Sequence, residues 1–319
     1  MHHLIKILLF ASIFFSVNLF AQIYPLKPIH LVIPWPAGGV TDVVGRVIAK
    51  QISIELESPV VVDNRAGASG KIGTEFVKRA PADGYTLLLG NGVMSVISVV
   101  DPSPNYDPQK DFVSISLISE NPAALLTKSS INATNLSEFI DLAKKNPGNL
   151  TFSSPGIGST FHMLTELFKL QTGIEAKHIP YQGSTPAANA VLSAVVDFQI
   201  ESTGKQFVDS GQMKVFAVTG TKRWFMFPNT PTFSELGITG LEKASWSALF
   251  APSNTPPQII SKLNQAVNDS LKRTSVNSAL LQYGYSPLGG TTEDLTNHLS
   301  IDLQKWKRVV KTNPEILKQ

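Results

Sequence analysis

The sequence predicts an α/β fold of two lobes, each built on a mostly parallel β-sheet flanked by helices, with two hinge strands joining the lobes. Short apolar runs rich in β-branched residues alternate along the chain with longer segments of helical period. Glycine-rich turns follow several of these runs, and two extended apolar stretches stand where the chain could pass between lobes. Alternation of this kind favours mostly parallel sheets covered by helices on both faces.

The first strand–helix–strand unit spans residues 29–62. The runs 29–33 and 60–62 are nearly all apolar, which is typical of buried parallel strands. Between them, the segment 41–54 places its apolar side chains on one face of a helix. This unit is a βαβ crossover, and the run 85–89 supplies a further strand.

Strands and helices continue to alternate through the rest of the chain. Further strands are predicted at 150–153, 177–179, 197–200 and 214–218. The helix 161–172 ends at Gly173, and a second helix carries Pro186 in its first turn; both residues suit those positions. Near the carboxyl end, a capping box at 255–258 predicts the start of one helix, and a leucine stripe that ends at Trp306 predicts another.

Two apolar stretches resemble hinge strands, one at 115–127 and the other at 245–252. The first lobe would then comprise residues 22–120 and 250–319, and the second lobe residues 121–249.

Residues 1–21 have the features of a secretory signal peptide. They combine a basic start that includes Lys6, an apolar run over 7–20 and the small residue Ala21 at the end. The run is short for a membrane span, which needs about 20 mostly apolar residues. A retained amino-terminal anchor is the alternative, and we expect an exported protein.

Composition excludes several classes of protein. Without cysteine the chain cannot form disulfides, thiolate zinc sites or a thiol nucleophile. Loss of the leader leaves about 298 residues with 26 basic and 24 acidic side chains, a net charge of +2. So weak a basic excess, spread along the chain, argues against nucleic acid as a partner.

The turn at 34–42, after the first strand, is the first candidate for ligand binding. Its glycines permit positive φ and close approach of a ligand, and backbone amides at the following helix start favour negative charge. The alternative is a plain turn in which Thr41 or Asp42 caps the helix. The turn lacks the glycine spacing of dinucleotide-binding and phosphate-binding loops.

Three further turns rich in glycine or serine follow predicted strands, at 64–70, 90–92 and 153–160. The carboxyl ends of parallel strands share one edge of a sheet, which is where open α/β folds bind their ligands. The placement is more informative than any one turn.

Catalytic machinery is not evident in the sequence. Ser159 lies in no nucleophile elbow, and the six histidines show no metal-ligand spacing. His162 and His178 are interpreted as packing or capping residues. We predict no catalytic residue, no metal site and no cofactor.

Motifs spread over nearly all of the mature chain point, in their order, to one family. They are the segments 24–29, 34–42, 64–73, 83–88, 106–112, 158–162, 180–187, 196–197, 245–246 and 251–256. Together they resemble the periplasmic substrate-binding proteins of tripartite tricarboxylate transporters, the Bug-type receptors. The resemblance implies the type II periplasmic binding fold, in which two lobes close on a ligand. It also implies a monomer that delivers a small carboxylate ligand to membrane transporter subunits.

In such receptors, main-chain amides and ordered water of the loop here numbered 35–42 hold a ligand carboxylate, and polar groups of the second lobe complete the site. Carried over by position, the implied first-lobe contacts are Trp35, Ala37, Gly38, Gly39, Thr41, Asp42, Gly67, Ala68 and Asn91. The implied second-lobe contacts are Ser154, Gly158, Ser159, Thr160 and Tyr181.

The sequence departs from the family where many members carry Asp-Asn after a strand and this chain carries Glu201-Ser202. Both residues are candidate ligand contacts. Glu201 could accept a hydroxyl or an ammonium group of the ligand, or it could face solvent. Trp35 could likewise offer its ring to a ligand or pack beneath the lobe.

Two other functions fit the same residues. A ligand-sensing subunit for a sensor kinase would share every feature above, whereas an α/β enzyme acting on a small acid would need a titrating pair that the sequence does not offer.

Overall fold

Two separate β-sheets organise the part of the chain that a computed structural model describes, namely residues 24–101, 104–312, 314 and 316. The predicted signal peptide at 1–21 lies outside these residues. The first sheet has six strands in the order β11-β4-β10-β3-β1-β2. Its strands are β1 (Ile29–Ile33), β2 (Val60–Asn64), β3 (Thr86–Asn91), β4 (Phe112–Asn121), β10 (Ser245–Pro252) and β11 (Ser286–Pro287).

The second sheet has five strands in the order β7-β6-β8-β5-β9. Its strands are β5 (Ala124–Lys128), β6 (Leu150–Ser154), β7 (Ala176–Pro180), β8 (Phe198–Glu201) and β9 (Met213–Val218). In each sheet the helix-connected strands run parallel, as in β1–β2, β1–β3 and β6–β7, and the antiparallel pairs involve β5, β10 and β11.

Helices flank both sheets. Those joined to the strands of the first sheet are α1 (Val40–Glu55), α2 (Lys71–Lys78), α3 (Val93–Val100), α8 (Pro257–Leu271), α9 (Thr274–Gln282) and α10 (Thr292–Thr312). Those joined to the strands of the second sheet are α4 (Leu136–Lys145), α5 (Thr160–Thr172), α6 (Ser184–Leu192) and α7 (Lys205–Asp209). No described helix combines the length and the apolar content that crossing a membrane requires.

Helix α1 shows how sequence pattern becomes packing. Its apolar residues Val44, Ile48 and Ile52 are buried against the first sheet, as their helical spacing predicts. Gly45 lies so close to β1 that an added Cβ would stand 2.4 Å from Cδ1 of Ile33. The missing side chain lets the helix approach the sheet, which fixes where its amino end stands.

The chain passes between the lobes at two neighbouring points. Strands β4 and β10 pair antiparallel, and Asn121 stands opposite Ser245 at the end of the ladder. The chain leaves the first sheet after Asn121, enters the second at Ala124, and returns at Ser245. Strand β10 lies wholly in the first sheet, so residues 245–249, which the sequence division assigned to the second lobe, pair with first-lobe strands.

Helix α10 contacts both lobes. Leu299 and Leu303 are buried in a cluster of first-lobe residues, while Trp306 and Val309, further along the helix, belong to the core cluster of the second lobe. A hydrogen bond of 3.0 Å from Trp246 Nε1 to the Asp302 carboxylate ties the middle of the helix to β10. The helix therefore connects the lobes alongside the two crossings of the chain.

The predicted capping box at 255–258 is wrong. Helix α8 begins at Pro257 with Pro256 as its amino-terminal cap and without a side-chain capping bond. The Thr255 hydroxyl instead donates to the Pro252 carbonyl at 2.8 Å. The helix start is set by proline, whose fixed φ suits a first turn.

Candidate functional site

The candidate site lies where parallel strands end and helices begin. In the first lobe, α1 follows β1 and α3 follows β3; in the second, α5 follows β6 and α6 follows β7. Each helix start carries backbone N–H groups without an intrahelical partner and a partial positive charge. Four such starts on the facing edges of two sheets produce a region that favours anions.

The two edges meet in the structure. An added Cβ on Gly92, after β3, would lie 3.1 Å from Oγ1 of Thr160 at the start of α5. One on Gly158 would lie 3.3 Å from Cδ1 of Ile97 in α3. The turns after β3 and β6 therefore touch across the boundary between the lobes, which brings Asn91 and Thr160, two of the predicted contacts, close together in the chain fold.

The loop at 35–39 leaves the start of α1 open. Gly39 is the amino-terminal cap and provides no side chain to bond the first-turn amides. Ala37, Gly38 and Gly39 are all exposed, and Thr41 is half-buried in the first turn. The first-turn amides of α1 can therefore donate to an anion, as the sequence predicted for this turn.

Asp42 holds this loop instead of facing outward. Its carboxylate accepts hydrogen bonds from Gly38 N at 2.9 Å, Arg46 Nε at 2.8 Å and Asn64 Nδ2 at 2.9 Å, and the residue is only 2% exposed. Burial alone would raise the pKa of Asp42, but these hydrogen bonds lower it below its usual value. The Asp42 side chain therefore supports the loop, since both of its carboxylate oxygens are already hydrogen bonded, and the predicted ligand contact at Asp42 stays a prediction for its backbone amide.

Trp35 packs beneath the loop. It is half-buried and contacts two apolar clusters of the first lobe. Gly70, in the next turn, lies against it, since an added Cβ there would stand 3.4 Å from the indole. Its Nε1 is buried without a hydrogen-bond partner among the described residues. The ring thus joins two predicted turns, and its N–H is left as a possible donor to a ligand or water.

The turn at 67–70 is left-handed over several successive residues, two of which are not glycine. Gly67 has φ of +130°, and Ala68 and Ser69 follow with φ of +48° and +54°. Gly67 and Ala68 are exposed. Backbone N–H groups of a tight turn can form an anion-binding concavity.

Asn91 uses its side chain locally. Its Oδ1 accepts a hydrogen bond of 3.1 Å from Val93 N at the start of α3. The residue is half-buried, and it orders the turn that faces Thr160.

A stacked histidine pair supports the second-lobe loop, and no motif in the sequence indicates it. The His162 and His178 rings lie 4.0 Å apart and nearly parallel. His162 Nδ1 accepts the Gly158 amide at 3.2 Å, and His178 Nε2 lies 2.7 Å from Ser154 Oγ. Ser154 Oγ and the Gly158 amide are thus hydrogen bonded inside the lobe, and the ligand contacts predicted at these two residues stay predictions. Ser154 and His178 are 24 positions apart, and Gly158 and His162 are 4 apart. The sequence therefore contains no regular spacing that would reveal the histidine pair.

Ser159 and Thr160 open α5. Ser159 Oγ caps the helix by accepting His162 N at 3.2 Å. Thr160 Oγ1 is buried and has no partner among the described residues. Tyr181 is half-buried, and its amide donates to Ser154 O at 3.0 Å. Thr160 therefore offers the side-chain group that a ligand between the lobes could complete.

Comparison with known proteins decides the family. Residues 44–314 match the model of the tripartite tricarboxylate transporter family receptor. The chain belongs to this receptor family. Protein BugT of Bordetella pertussis is 36% identical over 302 residues, which cover 93% of each chain.

Solved structures of similar proteins agree with the receptor fold. An R. palustris protein with adipate has a TM-score of 0.82 and 34% identity, over 91% of this chain and 98% of that one. MatC from Rhodopseudomonas palustris, with bound malate, has a TM-score of 0.80 and 28% identity, over 90% of this chain and all of that one. The predicted two-lobed α/β fold and the predicted family are confirmed.

Glu201 marks this receptor's departure from the family pattern. It ends β8, at the same edge as the turns after β6 and β7, and is 1% exposed. Oε1 accepts hydrogen bonds from Ser202 N at 2.8 Å and Ser202 Oγ at 3.1 Å. Burial raises the pKa of Glu201 to about 7, although hydrogen bonds from Ser202 and Ser184 lower it. Solvent exposure of Glu201, one of the two predicted alternatives, is wrong.

Proposed function

We propose that this receptor captures a small carboxylate-bearing molecule between its lobes and presents it, chemically unchanged, to the membrane subunits of a tripartite tricarboxylate-type transporter. The observation that carries the proposal is the open amino end of α1, where exposed Ala37, Gly38 and Gly39 precede first-turn amides that no side chain caps. The relatives with adipate and malate bind acids of this class.

Recognition would rest on backbone groups. Helix starts favour an anion by about 0.3–1 kcal/mol each when exposed, and by more when partly buried. The Asp42 network keeps the 35–39 loop in place before the ligand arrives, which lowers the entropy lost on binding. The predicted contacts at Gly39, Thr41, Gly67 and Ala68 fit this arrangement.

Closure of the lobes would complete the site. The ligand would bind the first lobe and then gain contacts from Thr160 and Tyr181 in the second. A ligand shifts such an equilibrium by its differential affinity for the closed state. The structure supports closure as the functional motion, because Gly92 and Thr160 already meet across the boundary and the two chain crossings lie side by side.

Export to the periplasm through the predicted leader completes the proposal. One chain supplies both faces of the site, so a monomer would suffice.

Titration calorimetry with the mature protein tests the proposal. A panel of small acids, each paired with its primary amide, should show binding of at least one acid and loss of that binding in its amide. Recovery of the acid unchanged after incubation is expected of a receptor. Equal affinity for an acid and its amide would refute anion recognition, and turnover would favour the enzyme alternative.

A further inference from the structure

Hydrogen-bond donors around Glu201 only partly offset its burial, which raises the pKa of the carboxyl to about 7. Oε1 accepts hydrogen bonds from Ser202 N and Ser202 Oγ, and the hydroxyl of Ser184, the first residue of α6, also lowers the pKa of Glu201. The positive end of that helix, together with these donors, stabilises the ionised form. Neutral donors satisfy one oxygen, but they do not compensate a full negative charge.

The second oxygen has no partner. Within the described part of the chain, Oε2 of Glu201 is buried and makes no hydrogen bond, and Glu201 forms no ion pair with a described Lys, Arg or His side chain. A buried carboxylate that lacks a cation is costly, and native structures seldom retain one without a partner. The partner must come from outside the described residues or be a proton.

The surroundings of Glu201 place it at the junction of the lobes. Ala124, the first residue of β5 after the chain crosses, pairs with Glu201 in the second sheet. Tyr285, from the first lobe, is hydrogen bonded to Ser202 and interacts electrostatically with Glu201. Burial raises the pKa of Tyr285 above its usual value, so this neighbour is neutral and supplies no positive charge.

We propose that Glu201 determines specificity, and that the ligand of this receptor carries an ammonium group, which pairs with Oε2, in addition to the carboxylate that the first-lobe amides bind. The inference rests on the proposed function, since it assigns the second end of the same ligand. An ammonium group supplies both the hydrogen bond that Oε2 lacks and the charge that the neighbouring serines cannot provide. A hydroxyl would supply only the hydrogen bond.

The experiment uses acids that differ at one group. Each acid in a panel of four- to eight-carbon skeletons is prepared with an ammonium, a hydroxyl or a second carboxylate at the same carbon. Binding to the mature wild-type protein, to Glu201→Gln and to Glu120→Gln is measured by calorimetry. Glu120 is the matched control, because it is a partly buried glutamate on hinge strand β4 whose pKa burial also raises.

The ammonium form of at least one skeleton should bind wild type about tenfold or more tightly than its hydroxyl and carboxylate forms, a difference of the size expected for a charge-assisted pair. Glu201→Gln should lose that preference, whereas Glu120→Gln should keep it. The glutamine keeps the shape of the side chain, so folding of the variant is expected and is checked by circular dichroism.

Other results overturn the assignment. Tighter binding of a dicarboxylate by wild type, retained in Glu201→Gln, would mean that Glu201 acts as a neutral donor. If Glu201→Gln weakens the binding of all three forms equally, Glu201 has a structural role. In both cases acids still bind, so the proposed function stands. If no acid of the panel binds wild type or Glu120→Gln, the proposed function and this inference fail together.

Discussion

Asp42→Ala should loosen the loop at 35–39 and weaken ligand binding. The Asp42 carboxylate accepts three hydrogen bonds at 2.8–2.9 Å, and one of its donors is the amide of Gly38 in that loop. Arg46, whose side chain is 53% exposed, and Gly38 can return to water at little cost. Asn64 keeps its bond to Trp35 O. At about 1 kcal/mol for each lost hydrogen bond, the variant should be less stable by about 2–3 kcal/mol.

Whether Asp42→Ala weakens or tightens ligand binding separates two explanations of the role of Asp42. If Asp42 organises the loop, ligand binding must then order one or two more residues, at about 1–2 kcal/mol each. Affinity should fall by about tenfold for every 1.4 kcal/mol. If instead the charge of Asp42 merely repels an anionic ligand, its removal should tighten binding.

Urea unfolding and calorimetry measure the two effects, with Asp63→Ala as the control. Asp63 pairs with Arg65 at 2.8 Å and precedes Asn64 in β2, so the control removes the same charge beside one of the hydrogen-bond partners of Asp42. It should change stability by about 1 kcal/mol or less. Because the pKa of Asp42 is lowered in the folded protein, its stabilising effect is present above the usual pKa and is lost as pH falls through the lowered value. Tighter binding by Asp42→Ala would refute the supporting role.

Three further outcomes are expected. Gly39→Val should abolish ligand binding with little change in the unfolding midpoint. The protein should still fold, because Gly39 is exposed with φ of −76° and an added Cβ would only approach Pro36 O at 3.3 Å. Unchanged affinity would mean that the ligand binds elsewhere. Thr160→Val should weaken binding in calorimetry without lowering the melting temperature, since it removes a buried hydroxyl that has no partner among the described residues. The free energy of unfolding of the wild type should fall as pH rises from about 4.5 to about 7, because the folded chain retains the Glu201 proton in that range and the unfolded chain does not. The loss should be about 1.4 kcal/mol for each unit by which the pKa is raised. Glu201→Gln should remove this dependence in urea unfolding measured at several pH values.

The fold could be predicted from the sequence because its strands and helices have strong local patterns. The strand predicted at 29–33 coincides with β1, and the helix ending at Gly173 ends there with Gly173 at φ of +69°. Buried parallel strands must be apolar on both faces, and a left-handed helix end favours glycine; both requirements leave a mark in the sequence.

The site could be predicted only as a set of turns. Which groups in those turns are already engaged depends on contacts between distant residues: Gly38 with Asp42, Gly158 with His162, and Ser154 with His178. The burial of Glu201 likewise follows from the packing of α6 and of Tyr285 around it. Tertiary contacts of this kind have no period and no fixed spacing, so the sequence alone could not reveal them.

The two ends of the proposed ligand are recognised by different kinds of group, and this difference explains why one fold can serve different acids. Helix starts hold a carboxylate through backbone amides, which any sequence that forms the helix provides. The other end of the ligand must be distinguished by side chains, because the backbone of these turns is nearly the same whichever side chains it carries. Changes at Gly39 or Asp42 should therefore weaken the binding of every acid, whereas a change at Glu201 should alter which acid binds. A substitution at Glu201 that lowered the affinity for all acids by the same factor would show that this division of roles is wrong.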